Sequence, residues 1–166
     1  MSAAITKTSL FSSAYANILA VVDNRSNIAD PANSTTRKFV YSRVPNIKVN
    51  FAGFPYIVLN QPSISMNRAS INAKRKNVIY AMEIEVHTSD KFVNGSMNGA
   101  GQTHLNNISD DLYETFNSST IRGSLAALGI ENVNITTNNV DIDTEHEEIV
   151  WIRGFTLNFN NKKSVN

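Results

Sequence analysis

Three histidines, His87, His104 and His146, are the side chains best suited to acid–base or metal chemistry. Two ligands on one helical face need i, i+4 spacing, and none of the three has such a partner. His146 lies in Glu145-His146-Glu147-Glu148, which is half of a metal site by composition but reads more simply as a charged turn between strands. Asp141, Asp143 and Glu145 match the opening of a calcium loop. That loop requires glycine at its sixth position and glutamate at its twelfth, where this chain has His146 and Ile152. The carboxylate pairs Glu83/Glu85 and Glu147/Glu148 come with no nucleophile or orienting group in a recognisable arrangement. Gly95, Gly99 and Gly101 are not followed by the Lys-Ser/Thr of a phosphate loop, and His104 stands where a dinucleotide fingerprint needs glycine. The chain has no cysteine, so disulfides, thiolate metal sites and a cysteine nucleophile are excluded. No catalytic, cofactor-binding or metal residue is assigned, and neither an enzyme nor a cofactor is expected.

Charge carries more information. The formal net charge is only +1, yet residues 1–76 hold ten Lys and Arg against Asp23 and Asp30, a balance of +8. Residues 77–166 hold five against twelve acids, a balance of −7. The basic candidates are Arg68, Lys74, Arg75 and Lys76, with Lys38, Arg43 and Lys48 upstream. The acidic candidates are Asp141, Asp143, Glu145, Glu147 and Glu148. A chain split this way can be self-complementary between copies. Equally, the halves can neutralise each other within one fold, with the charges on solvated turns. The basic cluster also fits contact with phosphate.

These charges must be positioned by ordinary elements. The chain has 166 residues, room for one domain. Charged residues are 17%, below the roughly 25% usual for soluble domains. Asn, Ser and Thr make up the difference, with 23, 17 and 12 copies. No apolar run approaches the ~18 residues of a membrane span. Ala14-Tyr15-Ala16 imitates a signal cleavage site, but no continuous apolar stretch precedes it, so no secretory signal is expected.

Tyr15, Ile18 and Val22 (with Phe11 and Leu19) keep a helical rhythm, predicting a helix over 8–23 capped by Thr8 or Ser9. Residues 24–38 read as a polar loop. Phe54-Pro55 leads into Tyr56-Ile57-Val58-Leu59, a strand whose proline entry suits a first or edge position. A hairpin arm is expected over 60–77. Val78, Tyr80, Met82, Ile84 and Val86 alternate with Glu83, Glu85 and His87, predicting a half-buried strand with the second set facing solvent. Residues 90–101 read as a loop with turn pairs at Asn94-Gly95 and Asn98-Gly99, and Asn94 and Asn98 are candidate contact residues. Leu105, Ile108, Leu112 and Phe116 form the stripe of a helix over 103–118. Ile121, Leu125 and Leu128 suggest a short third helix ending at Gly129. Val133 and Ile135, then Val140 and Ile142, alternate in opposite phase, implying a bulge or turn at Asn138-Asn139. Ile149, Trp151, Phe155, Leu157 and Phe159 mark a last strand, followed by a tail at 161–166. The class is α+β over 1–166: a mostly antiparallel or mixed sheet with two main helices on one face.

This order resembles the tail terminator (tail completion, neck) proteins of tailed bacteriophages. It comprises an N-terminal helix, a polar loop, Arg43-Val44-Pro45, Phe54-Pro55-Tyr56-Ile57-Val58-Leu59, a long strand, an amphipathic helix, Leu125-Ala126-Ala127-Leu128-Gly129-Ile130 and closing strands. The resemblance covers roughly residues 8–160 and is one of order and texture, without a diagnostic motif. It implies a virion protein made in the host cytoplasm. Such a protein forms a hexameric ring that caps the tail tube or sheath, stops its polymerisation and meets the head-side connector or stopper. DNA passes through only as cargo, no membrane is involved, and catalysis and cofactors are absent. The 24–38 loop and the 141–148 acidic run match no motif of that family. A head-completion or stopper protein, or a tail-tube subunit, is the neighbouring reading. A small nucleic-acid-binding module built on residues 68–76 is the reading from another class.

Overall fold

A computed structural model describes residues 7–32, 36–46, 52–66, 78–93, 96–97, 100–145 and 148–161. Its frame is a pair of long strands, β4 (Val78–Val93) and β7 (Glu148–Asn161), paired antiparallel from Ile79↔Asn160 to Lys91↔Glu148. β6 (Ile130–Glu145) forms a hairpin with β7 and is the outermost strand on that side. The other side of β4 is shared end to end. β2 (Tyr56–Leu59) covers Ile84 to His87, and β3 (Ser63–Met66) covers Val78 to Ala81. β1 (Val40–Tyr41) lies outside β2 and pairs with it in parallel, among the described residues the one parallel ladder of a mixed, unclosed sheet. β5 (Ser96–Met97) adds a short ladder to the end of β4. The chain is α+β, as the element order predicts.

Among the described residues three helices accompany the sheet: α1 (Lys7–Val22), α2 (Ala100–Asn117) and α3 (Ser119–Ala127). Residues directly opposite in register share a face, so Tyr80/Phe159, Met82/Leu157 and Ile84/Phe155 form one apolar surface. Against it pack Ala14, Ile18 and Val22 of α1, Leu105, Ile108, Leu112 and Phe116 of α2, and Leu125 of α3. Each such large side chain, fully buried, contributes on the order of 1.5–3 kcal/mol. Tyr80 stacks on Phe159 with centroids 5.5 Å apart, so it is core and not a base-stacking platform.

Several expectations need correction. Thr8 and Ser9 lie inside α1, which begins at Lys7, and do not cap it. The strand at 56–59 is not an edge, because β1 covers its outer side. Pro55 precedes the ladder and removes no donor from it. The third helix buries Leu125, but Leu128 is exposed beyond its end. Gly129 does close it, with φ 85°. The bulge expected at Asn138-Asn139 is present: β6 runs on through it, and its register against β7 shifts between Thr137 and Val140, with a second shift near Asn132.

The largest difference lies at 90–101. β4 continues to Val93, and α2 starts at Ala100. Apolar alternation stops at Val86 because the next inward positions, Thr88 and Asp90, are buried polar residues. Thr88 Oγ1 donates to the Gly101 carbonyl at 2.7 Å, and Gly101 N–H donates to Asp90 Oδ1 at 2.5 Å. A Cβ on Gly101 would sit 2.7 Å from the Ser89 carbonyl carbon, so only glycine lets α2 start this close to β4.

Candidate subunit interface

The acidic run is not a turn. Asp141, Asp143 and Glu145 lie on β6 and Glu148 opens β7, leaving only residues 146–147 between the strands. Their alternation sends Asp141 and Asp143 to the sheet face away from the helices, opposite Ile152 and Val150, and both are exposed. Val140 and Ile142 project to the other face and are also exposed, at 38% and 53%. Glu145 and Glu148 are directly opposite in register. Glu148 is half-buried, with one carboxylate oxygen enclosed and without a hydrogen-bond partner among the described residues. Glu147 lies outside the described residues.

Arg68, Lys74, Arg75 and Lys76 also lie outside the described residues, as do Asn94 and Asn98. What flanks the basic cluster is described: Met66 of β3 is opposite Val78 of β4, so an antiparallel pair brackets residues 67–77. Of the hairpin expected over 60–77, residues 67–77 lie outside the described residues, and 63–66 pair with 78–81 of β4.

A set of residues that sequence reasoning missed organises the opposite end of the sheet. Asp30, almost wholly buried, accepts from Arg37 Nε and Nη2 at 2.6 Å each and from the Ala32 N–H at 3.0 Å. Arg25 Nη1 lies 3.4 Å from the same carboxylate. Burial alone would raise the Asp30 pKa. The hydrogen bonds from Arg37 and Ala32, with the Arg37 and Arg25 charges, outweigh it and hold the carboxyl below its ordinary value. Arg37 also donates to the Gly53 and Pro55 carbonyls, fastening the polar loop to the entry of β2. Arg25 and Arg37 both lie over the Phe39 ring, at 4.3 and 5.5 Å. The signal in the sequence was Asp30-Pro31, an acid isolated in a basic half, but nothing local names its partners.

On the uncovered face beside β1, Tyr41, Tyr56 and Val58 form a second small cluster with Phe54. His87 stacks on Tyr56, centroids 4.7 Å apart and planes within 9°, and its Nε2 is 3.0 Å from Glu85 Oε2. His87 is buried, contrary to the solvent-facing expectation for its side of the strand. Burial lowers its pKa, opposed by the hydrogen bond and charge of Glu85. The Tyr56 hydroxyl is pushed up to about 12 by burial, then by Glu85 and Tyr41. Between β1 and α1 a recess of about 620 Å³ is lined by Tyr15, Leu19, Arg25, Lys38, Val40, Ser42 and Gln61, among others.

Among the described residues, no group of three or more His, Asp or Glu is placed to hold a metal, and no helix is long and apolar enough to cross a membrane. No protein-family model and no curated protein matches this chain.

Proposed function

We propose that this chain is a structural virion protein of a tailed phage, a tail terminator that assembles as a ring at the neck. In this reading it acts by contact alone, without catalysis or cofactor. It caps the tail tube or sheath, ends its polymerisation and presents a surface to the head-side connector, with DNA passing through the channel. The chain would be made in the host cytoplasm and reside in the virion.

The observation that carries this reading is the layout of the sheet. Helices pack on one face, and among the described residues no helix packs against the other. That face presents Ser63, Glu83, Asn134, Thr136, Asp141 and Asp143, all exposed. Such surfaces suit wet, hydrogen-bonded contacts between subunits.

Negative-stain imaging and light scattering of the purified chain, alone and with a tail-tube protein, test the reading. Rings, alone or on tube ends, are the expected result. Monomers that ignore the tube but bind duplex DNA with a steep salt dependence would transfer the chain to the nucleic-acid class.

A further inference from the structure

We propose that copies of this chain join head to tail through the two strands that are outermost in the sheet among the described residues, β6 of one copy lying antiparallel against β1 of the next. This rests on the ring reading and names its interface. In the order β1-β2-β4-β7-β6, β1 runs with β2, and each later strand opposes its neighbour. The two outermost strands therefore run in opposite directions. A second sheet set alongside in the same orientation brings β6 and β1 together antiparallel, without turning over. Such a contact is heterologous and closes into a ring when the rotation between copies permits.

The two edges complement each other on both faces. On the uncovered face β6 exposes Asp141 and Asp143. On the same face at β1, Tyr41 carries the Lys38 ammonium 4.9 Å above its ring. On the helix face β6 exposes the β-branched pair Val140 and Ile142. On the helix face at β1, the recess beside α1 has Tyr15, Leu19 and Val40 in its lining to meet them, with Asp23, Arg25 and Arg37 lining it too. From Val140 to Glu145 the register of β6 is regular, which leaves a clean ladder beyond the irregularity at 137–140. Two β6 edges would instead set Asp141 and Asp143 against the same acids, so the edge charge selects β1 over a symmetric pairing.

Charge exchange between the edges tests this. Asp141→Lys with Asp143→Lys alters the β6 edge, and Lys38→Glu with Arg43→Glu alters the β1 edge; all four positions are exposed, and thermal melts verify folding. Ring formation is read by light scattering and negative stain, alone and with tail-tube protein. Wild type is expected to form rings, each double variant to lose them, and an equimolar mixture of the two to regain them through swapped Lys–Glu pairs. Rings from either variant alone, or a mixture that forms none, overturn the junction while wild-type rings leave the ring reading standing. A wild type that forms no ring under any of these conditions overturns both.

Discussion

The two ends of the sheet are built on opposite terms. At the β1 end the strand is only two residues long and is held by side chains. Asp30 gathers Arg37 and Arg25, Arg37 clasps two carbonyls at the entry of β2, and Phe39 lies beneath both guanidinium groups. At the β6–β7 end the strands are long and held by backbone ladders, with Trp151 Nε1 donating to Asp90 Oδ2 at 2.7 Å as a main polar tie to β4. One end concentrates its stability in a few buried charges. The other spreads it along a hairpin whose outer residues stay exposed. A buried ionic end is sensitive to single substitutions, while a ladder end tolerates them at its edge and is free to use that edge for contact.

Removing the organiser of the β1 end should have the largest effect. Asp30→Ala leaves the Arg37 charge uncompensated, while Arg25 keeps Asp23 at 3.9 Å, and is expected to cost about 3–5 kcal/mol in chemical denaturation. A loss near zero would show that this end is not held by its ion pairs.

At the hairpin end, Trp151→Phe keeps most of the ring and deletes its donor to the Asp90 carboxylate. The expected loss is about 1.5–3 kcal/mol, with amide exchange rising first at the start of α2, because Asp90 also accepts from Gly101. Equal protection of α2 in variant and wild type would mean that Asp90 holds the helix without help from Trp151.

The smallest effect is expected at His87, between the two ends. Its folded pKa lies below the ordinary 6.5, so the unfolded chain takes up the proton first. That contribution to stability is full above about pH 6.5 and is lost as pH falls toward the lower folded value. Thermal melts across this window should fall with acid in the wild type and flatten in His87→Gln. A steeper fall in the variant would mean that the pair with Glu85, once charged, outweighs desolvation.

The sequence made α1, α2, β4 and the closing strand legible because each buries a stripe of its own period. Ile18 and Val22, Leu105 through Phe116, and Val78 through Val86 are spaced as their elements require. The continuation of β4 past His87 was not legible, since its inward residues Thr88 and Asp90 are polar and look like a loop until their partners on α2 and β7 are known. For the same reason the acids at 141–145 look like a turn and are a strand, because an edge strand needs no apolar alternation on its outer positions. Part of the candidate surface, from Arg68 to Lys76, with Asn94, Asn98 and Glu147, lies outside the described residues.

By itself the sequence determined the element types, the α+β class and the separation of charge along the chain, because these follow from local periodicity and composition. Which strand stands at each edge, which way it runs and which face its acids take were decided only by the tertiary structure. Those depend on pairings between residues far apart in the chain. Asp30 with Arg37 across a loop, Asp90 with Trp151 across the sheet, and β1 beside β2 were each settled by what the folded backbone brings within reach.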